Sequence, residues 1–297
     1  MAGPPAAVMA YVLAPEKLLG WPYRLSSDAL GFLLPQVRSL PVYGRLVGRS
    51  ASVSLETLLA LKPDLILDVG TVDETYISAA ERISSQTGLP YALVEGKLTE
   101  SPQQLLEVGA LLGAEERARR LAAYARLALA EATRYRARPG PKPKVYLART
   151  ASGLETSLAG SINVEVIEVA GGVNVAAQAG RGGLVQVSFE QLLAWQPDII
   201  LTQDPEFFQL SQQDPLWRQL KAVQNAQVYL LPSLPFGWLD GPPGVNRLLG
   251  LRWLVRRLNA GAEPLDWKEE TRLFHRLFYW QEPSGAQLEA LLRGLRG

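Results

Sequence analysis

Histidine occurs once in this chain, at His275, and cysteine not at all. Disulfides, thiolate zinc sites, iron–sulfur clusters, cysteine nucleophiles and a lipidated cysteine anchor are therefore excluded, and so is a cage of several histidines around a metal. The groups left to do chemistry are arginines, carboxylates and aromatic rings. Arg24, Arg45 and Arg149 stand in loop-like stretches, and a guanidinium fork pairs well with carboxylate and related oxygens. Trp21, Tyr23, Tyr43, Phe207, Phe236 and Trp238 stand in similar stretches and would offer flat apolar walls. His275 sits in Leu273-Phe-His-Arg-Leu-Phe-Tyr-Trp, where Leu273, Phe274, Leu277 and Phe278 form the apolar stripe of an amphipathic helix. The spacing places His275 on the flank of that helix and not at a metal. Gly171-Gly172 and Gly182-Gly183 lack the Lys and Ser/Thr of a phosphate loop and are read as turns, the first a helix C-cap.

The elements that must position these groups start from size and balance. A chain of 297 residues holds about two domains, each with its own core. Its 47% hydrophobic and 20% charged residues suit a globular fold, and 30 basic against 29 acidic residues disfavour a nucleic-acid partner. No apolar run of about 18 residues occurs, so no transmembrane helix is expected. Met1–Ala14 carries no basic residue, so an export signal is expected to be absent or removed. Ala6–Leu13 reads as a helix after a Pro4-Pro5 turn, followed by a strand near Leu18–Gly20.

The strongest pattern is an internal repeat. Residues 53–67 read VSLETLLALKPDLIL and residues 187–201 read VSFEQLLAWQPDIIL, an offset of 134 with ten of 15 positions identical. Each copy is one physical unit. Ser54 or Ser188 is an N-cap, and Ser188 with Gln191 makes a capping box. Glu56 and Glu190 lie in the first turn, where the helix dipole favours a carboxylate. Leu58, Leu59, Leu192 and Leu193 are expected to be the buried stripe. Pro63 and Pro197 stop the helices, and Asp64–Leu67 and Asp198–Leu201 read as buried parallel strands. A helix Glu74–Thr87 and strand Tyr91–Val94 follow the first copy. A helix Asp214–Ala222 and strand Val228–Leu231 follow the second. Each half is thus an α/β lobe. Between them come helices Pro102–Leu112 and Glu115–Arg138, the second with apolar positions Leu121, Tyr124, Leu127 and Leu129. Pro139-Gly-Pro-Lys-Pro then breaks the chain before strand Lys144–Ala148. The expected architecture is two Rossmann-like α/β lobes, residues 1–112 and 141–297, joined by a single long helix within 113–140, with a ligand cleft between the lobes.

This layout resembles the helix-linked class of ABC-transporter substrate-binding proteins, which capture iron–siderophores, haem, vitamin B12 and related metal chelates. The resemblance covers essentially the whole chain. It is carried by residues 54–67, their copy at 188–201, Val166-Ile-Glu-Val-Ala-Gly-Gly-Val-Asn-Val-Ala, and Pro235-Phe-Gly-Trp-Leu-Asp-Gly-Pro-Pro. Members of the class begin with an extra strand ahead of the helix at Ala6–Leu13, so the N-terminal lobe is expected to lack its first strand.

The resemblance implies a non-enzymatic protein, with no cofactor of its own and no catalytic or metal-ligating residue. It would act as a monomer at the periplasm or cell surface. Glu56 and Glu190 would dock on arginines of an ABC permease dimer. The cargo would be a small metal chelate, a ferric siderophore first, with haem or cobalamin as alternatives, bound where strands end. Trp21, Tyr43, Arg45, Arg149, Phe236 and Trp238 are the expected ligand-binding residues, Arg149 because it follows a strand directly. Tyr43-Gly-Arg-Leu is similar to the Tyr-x-Arg stretch through which some haem-binding members ligate iron. The scarcity of His, Cys and Met favours a chelate over a bare transition-metal ion. A tetrapyrrole chelatase on a related scaffold is the rival expectation, and a cytoplasmic metal-complex sensor the third.

Overall fold

The computed structural model describes residues 1–48, 51–259 and 261–295. Its backbone divides into two compact α/β units. The first comprises residues 1–126, 242–245 and 272–282, and the second residues 127–241, 246–271 and 283–297. Residues 272–282, expected in the second lobe, group with the first unit, where Phe274 and Phe278 pack edge-on against Tyr124, each 5.5 Å away.

The first unit opens with helix α1 (Pro4–Leu13), whose prolines occupy the first two helical positions, where their missing N–H groups cost nothing. Ala6 to Leu13 are buried without interruption, the mark of a helix surrounded by its own core. After a 3₁₀ turn at Pro15–Lys17, the strand expected near Leu18–Gly20 does not form; Trp21 makes a single bridge to Val42 instead. Short helices α2 (Ser27–Leu30), α3 (Pro35–Arg38) and α4 (Leu55–Ala60) follow. Strands β1 (Ile66–Gly70) and β2 (Tyr91–Glu95) pair in parallel, joined by α5 (Glu74–Thr87). Helix α6 (Ser101–Leu111) leads into α7 (Glu115–Arg136).

Helix α7 has 22 residues and is about 33 Å long at 1.5 Å per residue. The division between the units falls inside it, after Arg126. Its buried face is Leu121, Ala122, Tyr124, Ala125, Ala128, Ala132 and Tyr135. Leu127, expected on that face, is 57% exposed, because it lies off the stripe that Tyr124, Ala125, Ala128 and Ala132 form at three- and four-residue spacing.

The second unit contains β3 (Lys144–Ala148), β4 (Glu155–Ser157), α8 (Glu165–Val169), β5 (Val173–Asn174), β6 (Leu184–Gln186), α9 (Phe189–Trp195), β7 (Ile199–Thr202), α10 (Pro205–Gln213), α11 (Lys221–Gln224) and β8 (Val228–Leu230). Helix α12 (Arg247–Leu258) follows, then α13 (Trp267–Phe278), whose last seven residues lie in the first unit, and α14 (Gly285–Leu292). The main sheet runs β5-β3-β7-β8, all parallel, and β4 with β6 makes a separate antiparallel ribbon. The helix expected over Asp214–Ala222 is absent as such. Asp204 caps α10 by accepting from the backbone of Glu206 (2.9 Å) and Phe207 (3.0 Å), and Asp214 ends the helix by turning its carboxylate onto the Leu216 N–H. Phe207 and Trp217 then meet edge-on in the core at 4.7 Å.

The repeat is borne out locally and diverges in packing. Ser54 accepts from the Thr57 N–H and Ser188 from the Gln191 N–H, the latter completing a capping box. In α9, Leu192 and Trp195 are buried. In α4 no residue is fully buried, and Leu59, expected in the stripe, is 45% exposed.

Candidate functional site

In an open parallel sheet, ligands bind outside the carboxyl ends of the strands. In the second unit those ends enclose a recess of about 210 Å³, lined by Arg149 after β3, Gln203 and Asp204 after β7, Ser233 after β8, and by Glu155 and Asp240. Arg149 leaves β3 with its backbone N–H on the carbonyl of Glu155, 2.8 Å away. Its guanidinium holds two carboxylates, Nη1 to Glu155 Oε1 at 2.8 Å and Nε to Asp240 Oδ2 at 2.9 Å. Among the described residues Nη2 has no protein partner.

Asp240 is held from three sides. Asn163 Nδ2 donates to its Oδ1 at 2.8 Å, its backbone N–H donates to Gln203 Oε1 at 2.9 Å, and Arg149 takes Oδ2. Gln203 spends its other end on the Pro232 carbonyl. Beneath lies Arg247, fully buried, which donates to the Ile162 carbonyl at 2.5 Å and sits 3.4 Å from Glu165. Burial lowers the Arg247 pKa from its ordinary value, opposed by the charges of Glu165 and Asp240.

Phe236 and Trp238, expected to line the ligand, lie buried and are not among the residues lining the recess. Phe236 is fully buried and Trp238 is 2% exposed, packed 6.2 Å from the Trp267 ring. They anchor loop 232–241, which is drawn tight by bonds from Trp238 N–H to the Pro232 carbonyl and from Gly237 N–H to the Gly241 carbonyl. A Cβ on Gly237 would lie 1.8 Å from the Asp240 carbonyl. That close approach delivers Asp240 to Arg149. Glu155 and Asp240 were not singled out from the sequence. The available signal was the Thr150–Leu154 turn, which folds Glu155 back on Arg149.

In the first unit, Trp21, Tyr43 and Arg45 lie on two neighbouring loops tied by Trp21 N–H to the Pro41 carbonyl and Tyr43 N–H to the Trp21 carbonyl. Trp21 is buried, with its indole N–H on the Val37 carbonyl at 2.9 Å. Tyr43 is half-buried and packs on Gly20 so closely that a Cβ there would lie 2.4 Å from the ring. Trp21 and Tyr43 line a small apolar pocket with Leu19, Leu46 and Leu58. Arg45 is half-buried, and its charge offsets part of the upward push that burial gives the Tyr23 phenol.

Glu56 and Glu190 are both exposed in the first turns of α4 and α9, and neither has an ion-pair partner among the described residues. The Glu190 backbone N–H and the Ser188 hydroxyl hold the Glu190 carboxyl below its usual range. His275, expected on a helix flank, is instead buried, with neither ring nitrogen hydrogen-bonded to any of the described residues. No helix among the described residues is long and apolar enough to cross a membrane.

Two α/β units with parallel strands and a strand-end recess define the two-lobed binding-protein class. Residues 35–235 match the family model described as periplasmic binding protein, and the chain belongs to that family. It is a substrate-binding protein of an ABC importer, of the helix-linked class, which works with a membrane permease and is not an enzyme; the chelatase expectation falls with that. An ABC transporter solute-binding protein from Sulfurospirillum deleyianum is similar with a TM-score of 0.87 and 31% identity, covering 98% of this chain and 92% of that one. The molybdate-binding protein MolA of Haemophilus influenzae is 27% identical over 81% of this chain and 72% of its own length. The Fe(3+) dicitrate-binding periplasmic protein FecB of Escherichia coli is 28% identical over 73% of this chain and 71% of its own.

Proposed function

We propose that this chain captures a metal chelate of the ferric siderophore class, with ferric carboxylate complexes first, and delivers it to the permease through Glu56 and Glu190. The observation that carries the cargo reading is Arg149 at the end of β3, with Nη2 available to a ligand oxygen in the strand-end recess. The likeness to the Fe(3+) dicitrate-binding protein supports it. So does a composition with no cysteine and one histidine, which suits a metal already wrapped by its chelator. Molybdate is the second reading, supported by the match to MolA, whose name states that ligand.

Calorimetric titration with ferric dicitrate, a hydroxamate siderophore, haem, cobalamin and molybdate tests the assignment. Tightest binding is expected for a ferric chelate. Molybdate binding more tightly than every chelate would replace the reading, and silence from all five would remove it. If haem binds, Tyr43→Phe tests whether the phenol ligates iron, since the Soret band of the complex would then change.

The docking role makes a separate prediction. Glu56→Lys with Glu190→Lys should reduce uptake in whole cells to background while the purified protein keeps its ligand affinity within about twofold. The two acids are exposed and neither lines the recess, and reversed charges facing arginines repel. A parallel fall in affinity would contradict the assignment.

A further inference from the structure

Arg149 would be an ordinary anion donor if it stood alone, but it is clamped. The turn Thr150–Leu154 brings Glu155 back across it, and that turn is fixed in place. Thr150 and Gly153 both have positive φ, at 62° and 70°. Tyr146 donates its hydroxyl to the Gly153 carbonyl at 2.8 Å, and a Cβ on Gly153 would lie 2.1 Å from the Phe207 ring. Glu155 therefore cannot drift from Arg149 without dismantling a core contact. The Glu155 and Asp240 carboxylates together exceed the single charge of Arg149, and Asp204 lines the same recess. The net charge of these four side chains is negative.

This imbalance discriminates between ligands. A compact, doubly charged oxyanion reaching for Nη2 must place its charge beside two carboxylates, and like charges in a partly desolvated site repel strongly. A larger chelate spreads its charge over many oxygens and presents one of them to Nη2, so the repulsion per contact is smaller. Selectivity obtained by repelling the wrong ligand is as effective as attraction for the right one. The two carboxylates differ in role. The Asp240 side chain is 5% exposed, with Oδ1 accepting from Asn163 and Oδ2 facing Arg149, whereas that of Glu155 is 26% exposed and lines the recess.

We propose that Glu155 is a specificity-determining residue, whose charge excludes compact oxyanions from the Arg149 donor, with Asp240 acting as a positioning residue behind it. This rests on the strand-end recess being the ligand site, as proposed above.

The test is calorimetry on wild type, Glu155→Gln and Glu155→Thr, using sodium molybdate and ferric dicitrate as probes. Thermal unfolding of each variant serves as the folding control. Thr suits a strand position and gives a second neutral variant if Gln misfolds. In the variants, affinity for molybdate is expected to rise about tenfold or more relative to wild type, while ferric dicitrate changes by less than about threefold. Unchanged or weakened molybdate binding in both folded variants overturns the proposal. The comparison is variant against wild type with molybdate alone, so it stands even if wild type ignores ferric dicitrate, which would sink the cargo reading instead. Asp240→Asn is expected to weaken both ligands together, as a loosened Arg149 would. If it matched Glu155→Gln in raising molybdate affinity, the division of roles would be wrong.

Discussion

Gly250→Ala is expected to lower the unfolding midpoint of the second unit by about 10 °C and to cost most of the ligand affinity. Gly250 lies within α12, where glycine normally sacrifices up to about 1 kcal/mol of helix stability. It is tolerated because the helix backbone touches loop 232–241. A Cβ there would lie 1.9 Å from the Trp238 carbonyl oxygen and 2.6 Å from its carbon. The obstacle is backbone on both sides, so relief requires the loop to move. Overpacking of this kind costs about 3 kcal/mol, and each kcal/mol shifts the midpoint of a domain of this size by about 2–4 °C. The same movement would withdraw Asp240 from Arg149, which ties the stability change to the site. Gly285→Ala is the control, since nothing lies within 4 Å of its added Cβ. Calorimetry and ligand titration on the pair check the expectation, and equal midpoints for both variants would show that the close approach does not exist in solution.

The second large effect is acid lability centred on His275. Its imidazole lies in the first unit between the rings of Phe32, at 5.6 Å, and Tyr279, at 4.8 Å, with neither nitrogen hydrogen-bonded to any of the described residues. Burial lowers its pKa from 6.5 to about 3. Burial also pushes the Tyr279 phenol well above its ordinary value, so that neighbour stays neutral and offers no compensating charge. The sign follows from proton counting. Below pH 6.5 the unfolded chain binds a proton at this position that the folded chain refuses until about pH 3. Stability is therefore fully present above pH 6.5 and falls as pH drops, by about 1.4 kcal/mol per unit, reaching about 5 kcal/mol at pH 3. His275→Leu removes the titration and the two orphaned nitrogens while keeping the volume. Urea unfolding at pH 7 and pH 4.5 should show wild type losing about 2.7 kcal/mol more than the variant between the two conditions. Parallel losses would mean that water or another partner reaches the imidazole.

Local chemistry was readable in the sequence wherever the deciding interactions lie within a few residues. Ser188 with Gln191 and the prolines after each repeated helix depend on near neighbours, and the structure forms them as read; the apolar strands behind them form with shifted bounds, Ile66–Gly70 instead of Asp64–Leu67 and Ile199–Thr202 instead of Asp198–Leu201. Near neighbours misled at Asp214-Pro215, where a helix start and a helix stop use the same residues and only the capping by Asp204 upstream decides between them. Leu58 and Leu192 hold equivalent positions of the repeat, yet Leu58 is half-buried and Leu192 fully buried, because what covers a helix face comes from elsewhere in the chain.

The division of labour at the site follows the same rule. Sequence by itself determined the family, the paired acids Glu56 and Glu190, and Arg149 at a strand end, since repeats and caps are short-range patterns. Only tertiary structure decided that Trp238 is core, that His275 is sealed between two rings, and that Arg149 is bound by two carboxylates. Those outcomes depend on groups brought together from distant points of the chain, as Asp240 reaches Arg149 and Phe32 reaches His275. Burial and electrostatic pairing are properties of space, and chain order constrains them only after the backbone has folded.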